Sequence, residues 1–260
     1  CSPESIAALF PLRSNLFDLI VPDEASQCPV EAALPTLART SRTLIAGDDQ
    51  QMPPTHFFRT TAFDEDTEED GDELSVLAAN SVLGLARVAF PGTVLRWHYR
   101  SRHEELVAFS NAAFYGGRLV TAPRAEARSP HEGLQWIPVK GVWNNKTNPI
   151  EATRVVELLA EIWQRDAAPT VGIIALNKDQ ADLILRSIDE RVAHDPAFRA
   201  AHQRDRARNI VDQLFVRNLE NVQGDERDVI ILSVAYGPSE AGGRARANFG
   251  PIGNEGGEKR

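Results

Sequence analysis

The sequence predicts an α/β fold with a mostly parallel sheet, and two patterns support this prediction. Short, continuously apolar segments recur along the chain, as expected for strands that are covered on both faces. Segments with helical periodicity lie between them, so strands and helices alternate as in βαβ units. Such sheets bind their ligands at the carboxyl ends of the strands. Six strands are predicted: 17–21, 43–46, 134–139, 171–176, 214–217 and 229–234.

The helices between these strands carry recognisable start signals. Asn148 is a predicted N-cap because Pro149 follows it at the first helical position and an apolar stripe continues from there. A second helix is predicted after Asn177, again with an apolar stripe at helical spacing. Ser101 and Glu104 have the spacing of a capping box and predict a third helix start.

Composition and charge limit the class of protein. No apolar run approaches the roughly 20 residues of a membrane span, so we expect no membrane association. The two cysteines are too few for a disulfide framework, which favours a reducing, cytoplasmic location. An acidic run at 64–73, interpreted as a solvated mobile loop, accounts for most of the net charge of −9. The charge of the remaining residues is nearly balanced, so the net charge does not exclude a local basic groove that binds nucleic acid.

Two segments carry residues suited to phosphoryl transfer. In FDLIVPDEASQ (17–27) an apolar strand ends in Asp23-Glu24. One carboxylate of such a pair can hold magnesium through water, and the other can accept a proton from the attacking water. By itself this dipeptide more often marks a turn or a helix start. A second strand, in RTLIAGDDQQMPPT (42–55), also ends in a polar cluster, so Glu24 and Gln51 are expected on one rim of the sheet.

Five segments together resemble one protein family. Asp-Glu-Ala-Ser-Gln and Gly-Asp-x-x-Gln-x-Pro-Pro-Thr resemble motifs II and III of superfamily 1 helicases, in the branch of the RNA-surveillance and replication helicases. LRWHYRSRHEELVAFSNAAFYGGRL (95–119) is similar to the motif IV region of that branch, and VGIIALNKDQ (171–180) to its next conserved strand. VRNLENVQGDERDVIILS (216–233) is similar to motif V. The sequences HYRSRHE and NLENVQGDE within these segments are most similar to those of large, mainly bacterial, DNA-helicase-like proteins.

The resemblance implies a RecA-like P-loop NTPase fold with a parallel sheet and flanking helices. Residues 1–92 would form the C-terminal part of the first lobe, and residues 93–260 most of the second lobe. No Gly-Lys dipeptide occurs in the chain, so the phosphate-binding loop is expected to precede it and motif VI to follow it. The isolated chain is therefore expected to be an inactive fragment of an ATP-dependent helicase or translocase.

The resemblance also implies roles for individual residues, with ATP and Mg²⁺ as cofactors. Asp23 would coordinate Mg²⁺ through water, and Glu24 would activate the hydrolytic water. Gln51 would sense the γ-phosphate, and Arg100 would reach the phosphates as an arginine finger. Motif V would supply further nucleotide contacts, from Gln223, Gly224 and Glu226. Three amides would face single-stranded nucleic acid, DNA in preference to RNA: Asn177, Gln180 and Asn218.

The sequence departs from the family pattern at a few positions. Asp49 stands where proline is usual, and its negative charge is expected to weaken nucleotide binding slightly. Met52 replaces leucine, which conserves volume. Asn218 and Glu220 replace threonine and aspartate in motif V, which leaves the details of nucleic-acid contact open. The alternative function is a non-catalytic scaffold that binds nucleic acid or protein through a helicase lobe.

Overall fold

A computed structural model describes residues 1–51, 81–101, 103–122, 133–165, 168–222 and 224–244. The chain divides into two compact units, Cys1–Gln135 and Trp136–Glu258. These units divide at a different point from the lobe boundary expected near residue 92, which stays a prediction. None of the helices in the described ranges combines the length and apolarity needed to cross a membrane. The acidic run at 64–73, Met52 and Gln223 lie outside the described residues.

Within its described residues, the first unit contains four helices and a short two-stranded parallel sheet. The helices are α1 (Pro3–Leu9), α2 (Val30–Leu37), α3 (Val82–Ala89) and α4 (Glu105–Phe114). Strands β1 (Trp97–His98) and β2 (Val120–Thr121) pair in parallel. The buried Arg39 side chain fastens α1 to α2, since it donates to backbone carbonyls on both sides. A buried cation needs such partners because removal from water is otherwise costly.

The two strands predicted at 17–21 and 43–46 run in parallel, but they form a single bridge, between Ile20 and Thr43. Backbone bonds continue on either side of it. Leu44 N donates to Ile20 O at 3.1 Å, and Ala46 N donates to the carbonyl of Pro22 at 2.9 Å. Pro22 has no N–H to return, which prevents a longer regular ladder. The pairing brings the end of one predicted strand beside the end of the other.

The described part of the second unit is built on a three-stranded sheet. It contains helices α5 (Pro149–Trp163), α6 (Lys178–His194) and α7 (Pro196–Arg206) and strands β3 (Val171–Ala175), β4 (Phe215–Asn218) and β5 (Val229–Ser233). The strand order is β4-β3-β5, and both pairings are parallel. The three strands predicted in this region are thereby confirmed.

The core of the second unit lies between this sheet and its helices. Leu159 of α5, Ile173 of β3 and Ile184 of α6 are all completely buried. Burying each such side chain stabilises the fold by about 1.5–3 kcal/mol. β3 is buried along nearly its whole length, as a central strand requires.

The starts of α5 and α6 follow the sequence signals. The predicted cap Asn148 is confirmed, because its Oδ1 accepts from Glu151 N at 3.2 Å. The helix predicted after Asn177 is also present, and Asn177 caps it, since its Oδ1 accepts from Gln180 N at 2.9 Å. Asp195 ends α6 and begins α7: its N–H bonds to Arg191 O, and its carboxylate accepts from the first backbone N–H groups of α7. The two helices therefore meet at one shared residue.

Two predictions about local structure are wrong. Residues 134–139 form no strand. Pro138 cannot donate to a ladder, and Trp136 is 82% exposed, so neither backbone nor side chains gain from pairing. Ser101 and Glu104 form no capping box: α4 has no side-chain cap, and the Ser101 hydroxyl bonds to His98 instead.

Candidate functional site

The Asp23-Glu24 turn follows the first parallel segment and exposes both carboxylates. Glu24 has a positive φ of 52°, which is uncommon for a residue other than glycine. Asp23 Oδ1 accepts from Glu24 N at 2.9 Å, and Ala25 N donates to Ala46 O at 2.9 Å. The turn is therefore held to the neighbouring segment while its acidic side chains stay on the surface. Asp23 supplies the donor type that Mg²⁺ uses when it keeps most of its waters.

Gly47 brings the second segment against this turn. A Cβ at Gly47 would lie 3.0 Å from Ser26 N, 3.1 Å from Ala25 N and 3.2 Å from a methyl carbon of Leu83. Two of these neighbours are backbone atoms that cannot move easily, so the close approach requires glycine. The segments that carry Asp23-Glu24 and Gln51 thus meet within one unit.

Asp48 organises the residues that follow Gly47. Its Oδ1 accepts from Gln50 N at 3.0 Å, and its Oδ2 accepts from Gln51 Nε2 at 3.1 Å. The same Oδ2 accepts from the hydroxyl of Tyr115, beyond the end of α4. Burial, the hydrogen bond to Asp48 and the negative charge of that carboxylate raise the pKa of Tyr115 above its ordinary value. Tyr115 therefore remains a hydrogen-bond donor at neutral pH.

Asp49, the residue found where proline was expected, pairs with Arg87 of α3. Both side chains are largely exposed, so the pair adds little to stability. The pair nevertheless places the positive charge of Arg87 beside the negative charge of Asp49. The weaker nucleotide binding expected from Asp49 stays a prediction, now with a neighbouring charge that opposes it.

Arg100 lies on an exposed loop directly after β1. A bond between His98 Nε2 and Ser101 Oγ at 2.7 Å spans this loop, and Ser101 N also donates to His98 Nε2 at 3.1 Å. The two contacts hold the loop at its base while Arg100 projects from the surface. Arg100 belongs to the same unit as Asp23-Glu24 and Gln51.

The residues expected to contact nucleic acid differ in their surroundings. Gln180 is completely buried, and its amide bonds to Asn148 N, Asn148 O and Ser233 Oγ at 2.8, 3.3 and 3.2 Å. The prediction that Gln180 contacts nucleic acid is therefore corrected, because no part of its amide reaches the surface. Asn177 is partly buried and uses Oδ1 as the helix cap. Asn218 ends β4 and accepts from Asn221 Nδ2 at 2.6 Å.

Gln180 belongs to a buried polar network with Asn148, Glu151 and Ser233. Glu151 Oε1 accepts from Ser233 Oγ at 2.7 Å and from Ala235 N at 2.9 Å. Asn148 Nδ2 donates to Ala235 O at 3.1 Å. These bonds join the starts of α5 and α6 to the end of β5, so this network holds the carboxyl edge of the sheet.

In motif V the described nucleotide candidates, Gly224 and Glu226, are exposed in the turn before β5. Asp225 between them pairs with Arg217 of β4. Arg227 donates through Nε and Nη2 to Gln213 O at 3.0 and 2.7 Å. The turn is thus anchored by its charged neighbours, which leaves Glu226 at the surface.

Comparison with known proteins shows which family the chain resembles. A family model described as an AAA domain matches residues 83–242. A Mycoplasma genitalium protein named uncharacterized ATP-dependent helicase MG140 is 37% identical over 264 residues, which are 99% of this chain and 23% of that protein. Its Mycoplasma pneumoniae homolog has the same identity and coverage.

A more distant match is a Schizosaccharomyces pombe protein named DNA replication ATP-dependent helicase/nuclease dna2. It is 22% identical over 254 residues, which are 84% of this chain and 16% of that protein. The chain thus spans less than a quarter of the length of each of these relatives.

The parallel sheet with flanking helices and the matched domain define an α/β, RecA-like fold. The chain belongs to the superfamily 1 helicases, as a segment with the AAA-domain match of that family. The family and the fold class predicted from the motifs are therefore confirmed.

Sequence reasoning gave no role to Asp48 or Tyr115, which the structure joins to Gln51. Asp48 was visible as the second residue of the Gly-Asp motif. Tyr115 lies 67 positions further along the chain, and no local pattern links it to that motif.

Proposed function

We propose that the full-length protein is an ATP-dependent helicase or translocase that moves on single-stranded nucleic acid. The observation that supports this proposal is the backbone contact between the segment that carries Asp23-Glu24 and the segment that leads to Gln51. The Asp23-Glu24 turn bonds to the segment that ends in Gly47, and Asp48 orients Gln51 directly beyond it. The names of the relatives, which include ATP-dependent helicases, support the same function.

The proposed chemistry assigns one task to each exposed polar group. Asp23 holds Mg²⁺ through water, and the ion neutralises charge on the ATP phosphates when bound. Glu24 accepts a proton from the attacking water, and Gln51 contacts the γ-phosphate. Arg100 stabilises the charge that develops on the transferred phosphoryl group, for which its fixed cationic fork is suited.

The remaining nucleotide contacts are proposed for motif V. Gly224 and Glu226, both exposed before β5, supply them, and Gln223 lies outside the described residues. The proposed enzyme couples hydrolysis between two RecA-like lobes to stepping along the strand, through closure and reopening.

Nucleic-acid contact is proposed for Asn218 and for Asn177. Gln180 is left out because it is buried. Strand contact runs mainly through phosphates, and single-stranded DNA is preferred to RNA. The proposed location is the cytoplasm, which suits the free thiols of Cys1 and Cys28. The 260-residue chain without a Gly-Lys loop is proposed not to hydrolyse ATP by itself.

The test is ATP hydrolysis by the full-length protein with and without oligo-dT or oligo-rU. We expect oligo-dT to stimulate turnover more than oligo-rU, and Glu24→Gln to lower kcat at least about a hundredfold, as expected for loss of a general base. Glu31→Gln, which alters an exposed glutamate on α2 of the same unit, is the matched control and should keep activity. Absence of strand-stimulated turnover, or turnover indifferent to Glu24→Gln, would favour the scaffold function instead.

A further inference from the structure

The Gln51 side chain is hydrogen-bonded to Asp48. Its Nε2 donates to Asp48 Oδ2, which fixes the face of the amide that carries the N–H groups and places the carbonyl oxygen on the other side. A glutamine that must contact a phosphate depends on that orientation. Whatever holds Asp48 therefore also holds Gln51.

Two contacts hold the Asp48 carboxylate from different parts of the chain. Gln50 N donates to Oδ1 at 3.0 Å from the same turn, and the Tyr115 hydroxyl donates to Oδ2 from beyond the end of α4. Only the second contact comes from a distant segment. A tyrosine hydroxyl carries its proton at neutral pH and a carboxylate can only accept, so Tyr115 is the donor.

The position of Tyr115 is itself well defined. The chain reverses through Gly116-Gly117, and Gly117 N donates to Asn111 O at 2.8 Å. The Asn111 side chain then bonds both backbone groups of Leu119, each at 3.0 Å. This clamp leads directly into β2, which pairs with the strand before Arg100.

We propose that Tyr115 is a positioning residue that acts through Asp48 to orient Gln51 for ATP hydrolysis. The proposal rests on the function proposed above. The chain of contacts Tyr115–Asp48–Gln51 links the glutamine to the segment that also carries Arg100. Two groups assigned to the phosphates thereby share one structural support.

The test is a mutant cycle in the full-length protein, with strand-stimulated ATP hydrolysis as the assay. Tyr115→Phe removes only the hydroxyl and should lower kcat about tenfold, the effect of one hydrogen bond to a charged acceptor. KM for ATP should change less than about twofold, because Tyr115 acts through Asp48. Added to Gln51→Ala, Tyr115→Phe should lower kcat by less than about twofold further. Tyr236→Phe, at a half-buried tyrosine of the other unit, is the control.

Each outcome decides the proposal. A kcat for Tyr115→Phe within about twofold of the unaltered protein would overturn it, as would a tenfold fall that persists in the Gln51→Ala background, which indicates a general structural role. Strand-stimulated hydrolysis that is sensitive to Glu24→Gln but indifferent to Tyr115→Phe refutes only this inference. No strand-stimulated hydrolysis at all refutes the proposed function and this inference together.

Discussion

Replacing Gln180 by leucine tests the buried polar network most directly. Leucine is close to glutamine in size, so the change removes the amide and leaves little cavity. The bonds lost are one accepted from Asn148 N and two donated, to Asn148 O and Ser233 Oγ. The side chain is completely buried, so water cannot replace any of these partners.

The magnitude depends on which former partners are left without a bond. Asn148 O keeps its bond from Ala152 N at 3.0 Å, and Ser233 Oγ keeps its bond to Glu151 Oε1 at 2.7 Å. Asn148 N loses the bond that it donates to Gln180 Oε1 and stays buried. One unsatisfied buried N–H costs about 1–3 kcal/mol. We therefore expect Gln180→Leu to lower the free energy of unfolding by about 2 kcal/mol.

The assay is urea unfolding of the 260-residue chain, followed by tryptophan fluorescence. Trp163 is buried in the core of the second unit and reports on its packing. Gln203→Leu, the same change at an exposed position of α7, is the control and should alter stability by less than about 0.5 kcal/mol. Equal stability of Gln180→Leu and the unaltered chain, or an equal loss in both variants, would refute the reasoning.

Two further predictions follow from packing and from a shifted pKa. Gly141→Ala would place a Cβ 2.1 Å from Asn148 Oδ1, so it should cost about 1–3 kcal/mol in urea unfolding. Gly237→Ala, with no atom nearer than 3.4 Å, should cost much less, and equal costs would contradict this account. Burial, together with two nearby carboxylates, raises the pKa of Cys28, so less thiolate is present at pH 8. Iodoacetamide should label the exposed Cys1 first in peptide mass spectrometry, with Cys28 labelling faster as pH rises; equal labelling at pH 8 would count against the burial argument.

Local signals in the sequence predicted the starts of α5 and α6 and the second sheet well. Asn148 and Asn177 are caps whose bonds reach only three residues ahead, so the information lies within one turn. The strands at 171–175 and 229–233 are rich in valine and isoleucine, which favour strands, and the strand at 215–218 begins with Phe215-Val216. Such features depend on neighbours in the sequence and are accessible without coordinates.

Contacts between distant residues could not be predicted in the same way. Gln180 follows a helix start in a family motif, yet its partners Asn148 and Ser233 lie 32 and 53 positions away. Burial by those partners removes it from the surface. The bond from Tyr115 to Asp48 spans 67 positions and has no periodic signature. The family resemblance identified Gln51 but not the residues that orient it.

The shared residue between α6 and α7 has a mechanical consequence. Asp195 is both the C-cap of α6 and the N-cap of α7. No linker residues therefore lie between the two helices at which the chain could bend. We therefore expect the two helices to move together as one rigid body. A spectroscopic label on one would then report the displacement of both, and bending of this unit is to be sought in loops elsewhere.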